Sequence, residues 1–441
     1  MSSEFITLFM FSTMLVLLVT GQRVFGIIGF VGAAAALWLW GAGSAELPFN
    51  AAFKLLNWFP LITVPFFVFM GFILSESGIA SNLYRMFHIW FGPVRGGLAL
   101  GTIGLMVLIS CMNGLSVAGM AIGATVALPE LLKRGYDKRM VTGVVQAGSS
   151  LGILVPPSVV LVLYAMIARQ PVLQLWLAGI LPGLMMAALF AAYIYIRCRI
   201  QPELAPAMPE EERAAITRSE KIRALSAGLL PLGVFGIMMG LFLAGVTSLV
   251  ESAAVGALLA TLAAFFSGRL TKFVFEESTR KTLNISAMFL WIILAALCFG
   301  AVYDGLGAVR AIRTLLLDTW DLEPWTILIM MLLSFVILGM FLDDTAMLVI
   351  VAPLYIPLVI ALGFNPIWFG VLYTITCQIA YITPPFGYNL FLMRAMAPPE
   401  ITLGDIYRSI TPFVALMVLS IILIMIFPDI ALWLPNLYSG R

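Results

Sequence analysis

The stretch Leu151-Gly152-Ile153-Leu154-Val155-Pro156-Pro157-Ser158-Val159 lies inside an apolar run that otherwise reads as one membrane-spanning helix. Proline has no backbone N–H, and it pushes the residue before it out of the helical region. Two adjacent prolines therefore break the helix at a depth where lipid offers no replacement hydrogen bonds. Unwound backbone there is tolerated only if it is buried in protein or lines a cavity. The fold has to supply one or the other.

A second stretch, "AYITPPFG" (380–387), repeats the break 228 residues on. The landmarks around the two coincide in one register: Pro129 falls on Pro357, Gly135 on Gly363, Pro156 on Pro384 and Pro157 on Pro385. Few other positions are identical, but Gly and Pro mark backbone events, so the shared register signals an internal repeat.

The surrounding composition is that of a polytopic helical membrane protein. Hydrophobic residues make up 62% and charged residues only 10%, with mean hydropathy +1.07. Soluble domains carry about 25% charged residues. Apolar runs of helix-spanning length recur from end to end and do not alternate as barrel strands would. Full spans are expected near 4–21, 24–42, 58–82, 140–168, 172–197, 225–246, 249–268, 284–304, 366–396 and 405–427. Two further segments, 97–132 and 324–362, are interrupted midway by "SCMNGLS" (110–116) and "GMFLDD" (339–344). Glu4 and the lack of a basic residue before the first run are unlike a cleavable signal peptide, so that run reads as the first membrane helix.

Taking 97–132 and 324–362 as re-entrant hairpins leaves ten crossings. The side that holds the polar loop 198–224 then holds 19 of the 24 Lys and Arg residues, and the positive-inside rule makes it cytoplasmic with both termini outside. Five crossings separate the two copies of the break, so the repeats are inverted. Inverted repeats with interrupted helices are the mark of secondary transporters. Broken helices expose carbonyls that suit Na⁺ and N-termini that suit carboxylates. In each half a hairpin tip precedes a Pro-Pro break, which would give two symmetric ion sites near the midplane. Chemistry of other kinds lacks its residues. No Lys follows Gly, so no phosphate-binding GK[ST] loop exists. His88 is the single histidine, and Cys111, Cys198, Cys298 and Cys377 lie far apart without metal-ligand or disulfide spacing. Nothing points to a nucleic-acid partner. A channel is the other membrane class, but paired breaks in a repeat favour alternating access over a continuous pore.

The pieces "PELLKRGYD" (129–137), "GILVPPS" (152–158), "LWLAGILPGL" (175–184), "VESAAVGA" (250–257), "LDDTAMLVIVAPLYIP" (342–357) and "ITPPFGYNLF" (382–391) resemble the large membrane subunit of tripartite ATP-independent periplasmic (TRAP) transporters, the DctM type, over nearly the whole chain. The resemblance implies an all-α elevator-type transporter driven by a Na⁺ gradient. It also implies a separate small four-helix membrane subunit (Q type), a periplasmic substrate-binding protein (P type), a bacterial or archaeal inner membrane, and no enzyme activity. Its substrates are mostly carboxylates, such as C4-dicarboxylates and sialic acid.

The implied division is scaffold 1–95, first transport repeat 96–168, scaffold helices 169–304, second transport repeat 305–397 and a C-terminal scaffold helix 398–441. The implied first Na⁺ site holds Ser110, Asn113, Gly152, Val155 and Ser158; the second holds Gly339, Asp343, Ala380 and Thr383. Asn113, Ser116, Thr345, Pro157 and Pro385 are the residues expected around the substrate. The first tip, with Met112 and Asn113, departs from the family's small Gly/Ser-rich turn. No basic residue lies near either tip, so helix N-termini and hydroxyls would hold an anion. A stand-alone Na⁺- or H⁺-coupled organic-anion carrier of similar hairpin architecture is the alternative.

Overall fold

The computed structural model describes every residue except 1–2, 21, 42, 93–95, 114–115, 117–118, 121–122, 208–215, 341–343, 385–386 and 441. Among the described residues there are helices and no strands. The first half runs α1 (Ser3–Val19), α2 (Val24–Ala35, continued by a π turn to Trp40), α3 (Glu46–Leu56), α4 (Thr63–Glu76), α5 (Ile79–Phe91), α6 (Gly97–Asn113), a π turn Gly123–Ala127 leading into α7 (Leu128–Lys133), α8 (Lys138–Leu151), α9 (Val159–Ala168) and α10 (Val172–Ile200). The second half runs α11 (Arg218–Leu243), α12 (Leu249–Phe266), α13 (Lys272–Gly305), α14 (Ala308–Arg313, continued by a π turn Thr314–Thr319), α15 (Pro324–Gly339), α16 (Asp344–Ala361), α17 (Pro366–Tyr381), α18 (Tyr388–Met396), α19 (Leu403–Ile426) and α20 (Asp429–Tyr438). Among the described residues six segments, starting at Phe59, Val172, Arg218, Leu249, Lys272 and Leu403, are long and apolar enough to cross a membrane.

The 228-residue register read from four landmarks extends through the helix packing. Shifted by 228, α2 falls on α12, α6 on α15, α8 on α17, α9 on α18 and α10 on α19. The packing partners transform with them. α2 packs on α13, and correspondingly α12 packs on α4, the mate of the second half of α13. α6 packs on α8 as α15 does on α17, and α10 packs on α17 as α19 does on α8. α9 packs on α16, while α18 packs on the π turn 123–127, which is the mate of a stretch within α16. These contacts across the repeats thus recur with the partners exchanged.

Two groups of helices emerge. α1, α2, α4, α11, α12 and α13 pack among themselves. The second group is built on the broken pairs α8/α9 and α17/α18, and α10 and α19 belong to it by contact: both pack on the broken helices and on each other. α5 joins the groups in the first half and α14 in the second. Buried Ile79, Leu83 and Met86 recur along one face of α5, at the spacing that makes a helix amphipathic. Gly78 before α5 and Gly307 before α14 both take the left-handed conformation that favours glycine.

Both interrupted segments begin and end at one place. Gly96, at the base of α6, lies against Cys198 near the end of α10. The amide of Asp137, after α7, donates to the carbonyl of Leu204 just beyond the same helix, at 2.9 Å. Trp325, at the base of α15, likewise meets Phe364 in the turn after α16, with ring centroids 5.1 Å apart.

Local chemistry explains several ends. Ser248 and Glu251 form a capping box on α12, so Glu251 is a structural cap. Glu76, at the end of α4, pairs with Lys281 of α13 at 2.7 Å. Asp405, in the capping box of α19, also receives Lys138 at 2.6 Å and Arg139 at 3.0 Å from the start of α8. α3 has no counterpart among the expected elements. At 11 residues, with Pro48 in its first turn, it is too short for a span.

The repeat-related packing predicts a contrast between two glycines. A Cβ at Gly32 would sit 3.0 Å from the Cα of Phe299 in α13, whereas one at Gly233 meets nothing within 4 Å. Gly32→Ala should destabilise the protein by about 1–3 kcal/mol through overpacking. Gly233→Ala should be neutral or stabilising, by up to about 1 kcal/mol. Thermal unfolding of the two variants in detergent measures the difference.

Candidate functional site

In a helix, the carbonyl of residue i accepts from the N–H of residue i+4. Pro156 and Pro157 therefore remove the donors that Gly152 and Ile153 would use. The structure repairs one of the two. The Ser158 hydroxyl donates to the Ile153 carbonyl and also accepts from the Leu161 amide at 3.1 Å, capping α9. Among the described residues no hydrogen bond ends on the carbonyls of Gly152 or Val155. The turn is held from outside by α10. The Trp176 indole donates to the Ser158 carbonyl at 3.3 Å, and Gly179 lies so close that a Cβ there would be 2.3 Å from the Leu154 oxygen. Gly183, one turn on, meets Val155 in the same way at 2.5 Å. These residues of "LWLAGILPGL" were not expected at the site; small residues one helical turn apart are the signal for such a close approach. Trp176 also meets Phe67 of α4 and Phe242 of α11 edge-to-face, at 5.3 and 5.7 Å, so the first break is tied to both helix groups.

α6, which leads to the first tip, packs along α8, which leads to the first break, and a Cβ at Gly148 would meet Met106 at 2.7 Å. Gly152 and Ser158 are buried and Val155 is partly so; Pro157 is buried and follows Pro156 through a cis peptide.

At the second break, Pro384 and Pro385 would remove the donors of Ala380 and Tyr381. Ala380 finds a new one in the Thr383 amide at 3.3 Å, and the Thr383 carbonyl accepts from the Gly387 amide at 3.2 Å. The Thr383 hydroxyl donates to the Ile379 carbonyl at 2.5 Å, which leaves its lone pairs facing away from that bond. Gly339, at the end of α15, is brought against Ala380: a Cβ on Gly339 would lie 2.6 Å from the Ala380 Cβ. Gly339 thus lies against Ala380, whose carbonyl accepts from the Thr383 amide. Asp343 and Pro385 lie outside the described residues, as do the side chains of Ser110, Asn113 and Thr345.

Ser116 is described, and its partner was not anticipated. The fully buried Asn389, in the first turn of α18, donates from Nδ2 to Ser116 Oγ at 3.0 Å. Two other fully buried amides were also missed: Gln146 on α8 and Gln378 on α17, the latter with neither amide atom paired within the protein. Polar residues inside an apolar span were the available signal. Among the described residues there is no group of three or more acidic, His or Cys side chains that could hold a metal ion.

The sequence profile of the tripartite ATP-independent periplasmic transporter, DctM component, matches residues 11–430. The chain belongs to this family. As a TRAP large permease subunit and multi-pass membrane protein, it has relatives with several cargoes. It is 29% identical to the C4-dicarboxylate TRAP transporter large permease protein DctM of Pseudomonas aeruginosa, over 87% of this chain and 88% of that one. It is also 29% identical to the sialic acid TRAP transporter permease protein SiaT of Haemophilus influenzae, over 87% of this chain and 61% of that one. The ectoine permease TeaC of Halomonas elongata is 28% identical, over 86% of each chain. The YdaH transporter of Alcanivorax borkumensis has a similar fold, with TM-score 0.63 at 16% identity, covering 90% of this chain and 89% of that one.

Ser158 has two bonds to lose. Ser158→Ala should lower stability by about 1 kcal/mol through the lost cap, with the stranded Ile153 carbonyl adding to it, while Ser158→Thr keeps both bonds. Thermal midpoints of the two variants in detergent provide the comparison.

Proposed function

We propose that this TRAP large subunit imports an organic anion, a carboxylate or similar acid, coupled to Na⁺ and by an elevator movement. It would do so with a small membrane subunit and a periplasmic binding protein in the bacterial inner membrane. The observation that carries the reading is the contact of Gly339, at the end of α15, with Ala380 at a break where two prolines remove helical donors.

Na⁺ is a hard cation that takes oxygen ligands. The first site would use the carbonyls of Gly152 and Val155 with Ser110, Asn113 and Ser158; the second would use Gly339, Ala380 and Thr383, with Asp343 at the tip. Closing each site needs the tip beside the break, so bound Na⁺ would hold the tips in place for the substrate. Ser116, Asn113 and Thr345, with the turns at Pro157 and Pro385, would surround the anion. The return of segments 97–133 and 324–361 to the places where they start supports reading them as re-entrant hairpins. The moving unit would comprise the hairpins, the broken helices, and α10 and α19, which pack on them. α5 and α14 would be the arms that link this unit to a static group of α1, α2, α4 and α11–α13. Isethionate, ectoine, sialic acid and C4-dicarboxylates named in relatives set the range of cargoes to test.

In proteoliposomes holding the chain and its small subunit, with the binding protein added, uptake should require an inward Na⁺ gradient. Full-rate uptake without one would sink the coupling. Thr383→Ala should raise the Na⁺ concentration for half-maximal uptake severalfold, and an unchanged Na⁺ activation curve would count against the second site.

A further inference from the structure

Asn389 carries information about the cargo. It is fully buried, yet among the described residues only half of its amide is used: Nδ2 donates to the buried Ser116 hydroxyl at 3.0 Å, and Oδ1 has no partner there. The bond crosses between the repeats, from the helix that follows the second break to the last residue of the interruption 110–116. Asn389 also sits beside the second break, because Gly387 two residues before it lies against the carbonyls of Tyr381 and Thr383. A Cβ on Gly387 would be 2.5 and 2.9 Å from those oxygens.

Packing alone does not call for an amide here. The repeat mate of Asn389 is Leu161, which fills the equivalent place on α9 and is also fully buried. Leaving a buried acceptor unpaired is unfavourable, and a leucine would remove the problem. With its N–H committed to Ser116, the amide presents oxygen alone, an acceptor with two lone pairs. Such an oxygen repels carboxylate and sulfonate oxygens and attracts a hydroxyl or an N–H.

We infer that Asn389 is a specificity-determining residue whose Oδ1 accepts a hydrogen bond from a hydroxyl or N–H group on the transported anion. The chain would then select organic anions that carry such a donor over analogues that lack it. A site built to bond a donor rejects the analogue without one, because its own polar atom is left stranded. The inference rests on the organic-anion reading above and adds a second functional group to the cargo.

The binding protein makes its own selection, so the test reads binding to the membrane protein directly. The chain with its small subunit in detergent, in Na⁺ buffer and without the binding protein, is titrated with matched pairs followed by thermal shift. Suitable pairs are malate with succinate, isethionate with ethanesulfonate, and lactate with propionate. Wild type should bind the donor-bearing member of at least one pair roughly tenfold or more tightly than its partner. Asn389→Leu should bring that ratio close to one, while Asn389→Asp, which keeps an acceptor, should retain the preference and weaken both members by added negative charge. The Asp variant also guards against a Leu variant that does not fold. Equal binding of both members in every pair, a preference that survives in Asn389→Leu, or one that is lost in Asn389→Asp would overturn the inference alone. Absence of binding by any anion of the panel would overturn the organic-anion reading, and the inference with it.

Discussion

A backbone carbonyl inside a membrane must have a donor or a cation, and Pro156 and Pro157 withdraw two donors at once. Much of the fold around residues 151–159 answers that deficit. Ser158 supplies one replacement through its hydroxyl. α10 supplies cover, through the Trp176 indole and through Gly179 and Gly183, which allow helix and turn to touch. Among the described residues, the carbonyls of Gly152 and Val155 are left without a donor. The second break meets the same shortage differently. Its turn closes on its own amides, and Gly339 of the neighbouring hairpin packs directly on Ala380.

The inverted repeat explains why the two solutions stand opposite each other, and its failures of symmetry are as informative as its matches. Lys138 and Arg139 open α8 and clasp Asp405, whereas the mates of these three residues are Pro366, Ile367 and Leu177, which carry no charge. At that opposite end a polar pocket of about 340 Å³ remains, lined by Gln170, Gln174, Asn365, Asn436 and Ser439 among others. The charged end is the one that the positive-inside rule assigns to the cytoplasm.

The breaks, the register and the spans were legible in the sequence because proline, glycine and long apolar runs act through the backbone and need no partner to be read. The associations of α10 and α19 were not legible, because a helix that is apolar on every side does not name its neighbour. Asn389 was overlooked although it lies within the motif "ITPPFGYNLF": its meaning comes from Ser116, 273 residues away, and from an oxygen left unpaired. The first tip, with Asn113, and the acidic second tip, with Asp343, were named from their sequence; their side chains lie outside the described residues.

Hydrogen–deuterium exchange of the purified chain in Na⁺ and in choline tests most directly whether the two breaks are cation sites. If Na⁺ closes each tip onto its break, amides in peptides covering 148–162 and 376–390 should exchange more slowly in Na⁺, while peptides from α2 and α12 remain unchanged. Identical exchange at both breaks in the two salts would contradict the account.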